Sequence, residues 1–562
     1  MSIKPDNPTL AGLLQGRLFF VPDYQRAYSW QSKQRQDLFN DIRTLAKHPD
    51  PERHHFMATV VCLQRGKQPI SADDYGRFEV VDGQQRLTTL VILLKAIAKA
   101  LAGQEGLSHE ATKLNHLLVK EDGSLLFTSN HDKNNVLVSY LRVGSVPDST
   151  QVTTAAERNL AAACQDCEHF VETWLQQDGD LLGLLRVLKN RLEFILFTLT
   201  DEATVYTTFE VLNSRGLEVD WLDKCKSMLM GVAAESFHGE QRTEQLDTLH
   251  TCFQDIYATI GLDSLAGQEI LRFTACLNEP EPPNRIPSSE AALASLQARV
   301  NHAPDCTTST AHKLLQVTKA LKQLRDNWKI TALTRVAHVR LLAAAILLAD
   351  NDVDAQLAAW ERVTFRIFGL ARRDARTKVG EYTRLAHVLL QADGLQGEDA
   401  VKAITALGSD YKPTSVISSL HHSDAVHGWE DELRYFFYHY DQHLAQLQGE
   451  AVNDDLWASI CQKPSSQVIE LIYPEGATNA WPKLSEARQE SRYYLGNVLI
   501  TAPRVNLLTG QKDFAGKREV YSQFAEVRAG AQVSHEESWG YNQIVAREKR
   551  LLEWAKQYWA EP

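Results

Sequence analysis

The period of the apolar positions changes along the chain, and each change marks an element. Residues 56–63 and 78–81 are short, apolar and β-rich, the pattern of strands. The second runs through Asp82-Gly83 into another rhythm, in which Leu87, Leu90, Val91, Leu94, Ile97 and Leu101 recur at steps of three and four. That spacing predicts a long amphipathic helix, so strand, tight glycine turn, helix is the local expectation. Residues 192–199 predict a further strand with a helix following from Val205, and residues 146–154, with Pro147, Asp148 and Ser149, predict a loop. Pro280, Pro282, Pro283 and Pro287 crowd residues 278–289, a density that breaks helices and marks a domain boundary. From residue 311 to 447 nearly everything has helical periodicity. Residues 454–521 turn mixed again, with 469–472 and 498–500 as short strands, and residues 544–559 read as an amphipathic closing helix. The chain is thus expected to be α+β and multidomain, divided at residues 1–235, 236–425 and 426–562.

Composition narrows the class. With 44% hydrophobic and 23% charged residues over 562 positions, the chain is an ordinary globular protein rather than a disordered, collagenous or coiled-coil one. Its 59 basic and 71 acidic residues give a net charge of −12, which excludes a basic coat over the whole surface but not a local patch. Residues 1–100 hold 14 Lys/Arg against 10 Asp/Glu, so that segment is about +4 and the remainder about −16. The start lacks a secretory apolar core, and the apolar runs at 91–102 and 341–349 fall short of the roughly 20 residues of a membrane span. A cytoplasmic protein without a membrane partner is expected. Cys164-Gln165-Asp166-Cys167 is the one close cysteine pair; without a second pair at zinc spacing it reads as two reduced thiols.

The richest stretch is Val80-Val81-Asp82-Gly83-Gln84-Gln85-Arg86-Leu87-Thr88-Thr89. A glycine after a strand lets the backbone turn closely, and the free amides opening the next helix favour an anion. Arg86 adds a planar cation matched to phosphate oxygens, Asp82 could hold a divalent cation, and Thr88 or Thr89 could donate a hydroxyl. The plainer alternative is that Asp82 caps the helix and Arg86 lies on its surface. Neither a Walker loop nor a dinucleotide fingerprint is present.

Two further stretches join it. One is Pro22-Asp23-Tyr24-Gln25-Arg26-Ala27-Tyr28-Ser29-Trp30; the other is Phe209-Glu210-Val211-Leu212-Asn213-Ser214-Arg215-Gly216, continuing to Asp223 and Lys226. Together the three resemble the N-terminal domain of GmrSD-type, modification-dependent (type IV) restriction proteins, over residues 10–230 or so. The resemblance implies a ParB/sulfiredoxin-like domain that binds and hydrolyses a nucleoside triphosphate with Mg²⁺ or Mn²⁺. Asp82, Gly83, Gln84, Gln85 and Arg86 would form the phosphate and metal turn, with Thr88 beside it and Gln25 and Arg26 alongside. Asn213, Arg215, Asp223 and Lys226 would complete the pocket.

Residues 430–560 resemble the second domain of the same family, an HNH (ββα-metal) nuclease, while the middle reads only as helical. The matching residues are Ile469-Glu470-Leu471-Ile472-Tyr473-Pro474, Gly496-Asn497, Asn506, Phe514-Ala515-Gly516-Lys517 and Tyr521. The resemblance implies that Glu470 and Asn506 ligate a metal, Asn497 orients the site and Lys517 contacts the scissile phosphate. The family's first motif reads E-H-I-x-P, however, and Leu471 stands at the histidine. Leucine accepts no proton, and loss of a general base costs about a hundred- to ten-thousand-fold. His535, the only histidine after His443, is a substitute candidate, though a lone histidine is more often structural.

The implied partner is double-stranded DNA carrying modified bases or a modified backbone, with a second copy of the chain as a further expected partner. Arg17, Arg26, Lys33, Arg35, Arg43, Lys47 and Arg53, interleaved with Phe20, Tyr24, Tyr28 and Trp30, could form a basic, aromatic face, the alternative being a solvated helix. The leading expectation is an antiphage, triphosphate-hydrolysing endonuclease. The alternatives are a nucleotide-gated DNA sensor whose HNH domain is inactive at Leu471, and a helical scaffold that binds no triphosphate.

Overall fold

The computed structural model describes residues 6–22, 25, 27–130, 132, 134–146, 152–177, 179–199, 221–260, 267–391, 393–477, 480–510 and 512–560. It divides into two units, Met1–Arg272 with Ser288–Thr318, and Phe273–Pro287 with Lys319–Pro562. The whole is mixed α and β and mostly helical.

In the first unit β1 (Arg17–Val21), β2 (His55–Ile70), β3 (Asp73–Asp82), β4 (Phe127–Ser129) and β5 (Leu192–Leu199) form one mixed sheet, ordered β4-β1-β3-β2-β5. β1 lies between β3 and β4 and is parallel to both, with Phe19 paired to Phe78 and to Phe127. β2 and β3 form an antiparallel hairpin, and β5 runs parallel to β2. The strands at 56–63 and 78–81 were legible as apolar runs, but both extend into the polar residues between them. There cross-strand backbone bonds, rather than burial, hold the pairing.

The Gln84–Ala102 helix leaves β3 directly and is buried on nearly every side, from Leu87 through Leu94 to Leu101. A helix apolar all round belongs inside a domain. Its two lysines extend to the margin: Lys95 Nζ donates to Asn115 Oδ1 at 2.8 Å, and Lys99 Nζ donates to the Gly144 carbonyl at 2.6 Å and pairs with Glu168. Burial and the neighbouring Lys99 lower the Lys95 ammonium from its ordinary value. The Ala155–Gln177 helix packs alongside, carrying Cys164 and Cys167 as free, buried thiols that burial pushes well up. Unreactive thiols in an apolar contact are the result.

The second unit is helical around an aromatic core. Phe365 lies 4.8 Å from Trp559, and Phe436 lies 5.3 Å from Trp554, ring centre to ring centre. The second contact joins the Glu430–Leu447 helix to the closing helix Tyr541–Tyr558, and the first packs Phe365 against the residue that ends that helix. Against this core stands the antiparallel pair β6 (Ile469–Leu471) and β7 (Val498–Ile500), followed by the Pro503–Thr509 and Phe514–Phe524 helices. The proline-rich residues 278–287 contain no helix. Most of the loop expected at 146–154, and the start of the helix expected from Val205, lie outside the described residues. Among the described residues no helix is long and apolar enough to cross a membrane.

Candidate functional site

β3 ends at Asp82, and Gly83 turns the chain with φ +90°, a left-handed conformation open to glycine. A Cβ there would lie 3.1 Å from both the Thr59 carbonyl oxygen and Val60 Cγ2, so the turn is also pressed against β2. The first amides of the Gln84–Ala102 helix emerge at this turn. Asp82 is half-buried and Arg86 is exposed one helical turn on.

The glutamines of the motif serve the scaffold. Gln85 is buried; its Oε1 accepts from the Ser29 amide at 2.8 Å and the Trp30 amide at 3.3 Å, and its Nε2 donates to the Ala27 carbonyl at 3.1 Å. One side chain thus fastens residues 27–30 to the start of the helix. Gln25, also buried, donates to the Val81 carbonyl at the end of β3. Gln84 is buried as well. The hydroxyls of Thr88 and Thr89 donate back to the Gln84 and Gln85 carbonyls at 2.7 and 2.8 Å, and Thr89 also meets the Tyr28 hydroxyl at 2.9 Å. Burial pushes that phenol well above its ordinary value. Arg26, Asn213 and Arg215 lie outside the described residues.

Asp223 and Lys226 are buried on the Trp221–Ser236 helix, against the Gly239–Ile260 helix. The Tyr257 hydroxyl donates to Asp223, and Lys226 Nζ lies 5.5 Å from the Tyr257 ring centre.

The continuous basic, aromatic face does not form among the described residues. Arg17 donates to the Gly12 and Leu13 carbonyls at 2.7 and 3.1 Å. Arg35 is buried and paired with Asp166 at 2.7 Å, Arg43 stacks on Phe170, and Tyr28 and Trp30 are buried. For Arg35 and Arg43 the partners come from a distant helix, which a local count of cations cannot reveal.

At β6 the second group assembles. Glu470, opposite Leu499, is buried, and its Oε1 accepts from Lys517 Nζ at 2.6 Å and from the Tyr521 hydroxyl at 3.2 Å. Lys517 Nζ also donates to the Leu471 carbonyl at 2.8 Å. Burial, and then the Glu470 charge, push the Tyr521 phenol well up. Asn497 is fully buried: Nδ2 donates to the Tyr473 and Arg492 carbonyls at 2.9 and 2.7 Å, while Oδ1 accepts from the Tyr473 amide at 2.8 Å and Trp539 Nε1 at 2.9 Å. Asn506 Nδ2 donates to the Ile469 carbonyl at 3.1 Å. Arg547, from the closing helix, donates to the Gly496 and Val498 carbonyls at 2.8 and 2.7 Å, and burial lowers it to about 10. His535 is exposed beyond the Arg528–Val533 helix.

The structure therefore brings Glu470, Lys517 and Tyr521 into one cluster, with Asn506 of the Pro503–Thr509 helix bonded to the same strand and Asn497 locking the turn before β7. An ammonium and a phenol hydroxyl sit on one of the two carboxylate oxygens of Glu470. A metal ion on that oxygen would have to displace Lys517. Leu471 offers only its carbonyl. At the N-terminal turn the residue types suit a cation-bound triphosphate: a half-buried carboxylate, an exposed guanidinium and helix-opening amides follow one another around a left-handed glycine. Missed by the motif reading was Trp539, whose indole completes the Asn497 bonds; its signal is an isolated tryptophan 42 residues downstream.

The comparisons with known proteins agree with this division. Residues 10–230 match the N-terminal domain model of the GmrSD restriction endonucleases, and residues 415–554 match the C-terminal domain model of the same enzymes. These are restriction endonucleases, proteins of antiphage defence that act on DNA. The chain belongs to the GmrSD restriction endonuclease family. No curated protein matches it.

Proposed function

We propose that the chain is a nucleotide-dependent restriction protein directed at modified DNA, in which the Asp82–Gly83 turn and Arg86 bind a triphosphate with Mg²⁺ or Mn²⁺. The observation that carries the reading is the left-handed Gly83, which stands between the half-buried Asp82 and the opening turn of the helix that bears the exposed Arg86. Asp82 would hold the cation and Arg86 the phosphate oxygens. The bound cation supplies charge neutralisation for phosphoryl transfer. Gln85 has a positioning role, because it ties residues 27–30 to the same turn. Asp82→Ala tests the assignment: triphosphate hydrolysis is expected to vanish, and full turnover by that variant would contradict it.

The family's C-terminal domain is read as an HNH-type unit that meets DNA near β6. In this chain a second reading has specific support, namely a nucleotide-gated DNA sensor whose nuclease is silent. Leu471 cannot take a proton, and Lys517 sits on one of the two carboxylate oxygens of Glu470. Incubating the protein and its Leu471→His variant with modified and unmodified DNA, Mg²⁺ or Mn²⁺ and each triphosphate separates the readings. Cleavage by the protein itself would defeat the sensor, and cleavage by the variant alone would support it. Cleavage by neither would defeat a latent nuclease.

A further inference from the structure

Away from the Glu470 cluster, three metal-ligating side chains meet on the second unit. His421 and His422 follow the Pro413–Ser418 helix, and Glu548 comes from the closing helix. His422 Nε2 lies 3.7 Å and His421 Nε2 lies 3.9 Å from Glu548 Oε2. One ligand atom from each lies within 4.8 Å of the other two. Ligands at zinc distances in a tetrahedron stand about 3.4 Å apart, so only small rotations of the two rings are required.

Glu548 makes this more than a surface histidine pair. Its side chain is 0% exposed, whereas those of His421 and His422 are 43% and 38% exposed. Among the described residues the His422 amide donates to both oxygens of this carboxylate, at 3.2 and 3.3 Å. A carboxylate buried so deeply normally meets a cation or several donors. Here it faces two imidazoles whose ring centres are 3.8 Å apart. His422 is held in place: its backbone takes φ +57°, and its ring stacks on Tyr494 at 4.9 Å with planes 12° apart. That ring comes from the segment just before Asn497. Solvent reaches the cluster through the histidines, leaving a fourth position for water.

We propose that His421, His422 and Glu548 bind one Zn²⁺ ion, with the fourth position open to water. Two imidazole nitrogens and one carboxylate oxygen suit zinc and disfavour Mg²⁺, which prefers all-oxygen, octahedral surroundings. The site is separate from Glu470 and does not depend on the nucleotide reading. The bound ion fastens the segment after residue 418 to the closing helix that also clasps β7 through Arg547.

The full chain, stripped with chelator and titrated with Zn²⁺ by calorimetry, tests this. One equivalent should bind, and Co²⁺ in its place should give the intense visible band of a tetrahedral site. His421→Ala, His422→Ala and Glu548→Gln should each weaken Zn²⁺ binding at least tenfold, while Glu470→Gln leaves it unchanged. If Glu548→Gln fails to fold, His421→Ala, altered at an exposed ring, still decides. No binding by the parent chain, or undiminished affinity in the foldable variants, would overturn the site.

Discussion

Lys517 Nζ lies 2.6 Å from Glu470 Oε1, both side chains almost wholly buried, with the Tyr521 hydroxyl on the same oxygen. Two opposite charges withdrawn from water in this way hold each other in place more than they stabilise the fold. Removing one partner leaves the other buried alone, at a cost of about 3–5 kcal/mol, whereas replacing both by apolar groups of similar size is close to neutral. Lys517→Met should therefore lower stability by that amount, and Lys517→Met with Glu470→Leu should recover most of it. Urea denaturation measures both, and additive losses in the double variant would show that the pair is not coupled.

Gly83 is the second place where one atom decides. An alanine there must adopt φ near +90° and place a methyl 3.1 Å from the Thr59 carbonyl. Gly83→Ala is expected to cost roughly 1–3 kcal/mol and to weaken triphosphate binding. Arg86→Ala, at an exposed position, should leave the melting temperature unchanged and weaken binding about tenfold or more. Equal triphosphate affinity in Arg86→Ala and the parent chain would remove the guanidinium from the site.

Gln85 offers a test of positioning as distinct from contact. Its three hydrogen bonds to residues 27–30 predict that Gln85→Ala loses on the order of 2–3 kcal/mol, since buried main-chain groups are left unpaired. Limited proteolysis should then cut within residues 22–31 before elsewhere. Unchanged proteolysis would mean that the loop is held by other contacts.

A pH dependence follows from Glu361. Burial pushes its carboxyl up to about 7, and the Tyr435 hydroxyl, donating at 3.3 Å, only partly opposes this. The folded chain keeps this proton where the unfolded chain has already released it. The contribution is thus complete below the ordinary carboxylate value near 4.5 and is lost as pH rises through about 7. Glu361→Gln should flatten the stability profile across that window, by at most about 3 kcal/mol. A Gln variant whose profile still falls as steeply would point to another group.

The strand, glycine and helix at residues 78–102 were legible because the apolar period changes there from two to 3.6 within a few residues. β5 and the short pair β6 and β7 were legible as short apolar, β-rich runs. The polar reach of the β2–β3 hairpin was not, since backbone pairing leaves no trace in side-chain alternation. Nor was Arg35, whose partner Asp166 is 131 residues away and converts an apparent surface cation into a buried one. The nuclease-like motif was legible residue by residue. That Lys517 would sit on Glu470 was not, because only folding brings β6 and the Phe514–Phe524 helix together.

Asn497 spends all its hydrogen bonds on main chain and an indole, and none on Glu470 or Leu471. The turn before β7 is thus anchored independently of the Glu470–Lys517 pair. The side chain at position 471 can therefore change without breaking any of these bonds. Because leucine and histidine codons can differ by a single base, that position is open to exchange in either direction while the anchor of the turn stays unaltered.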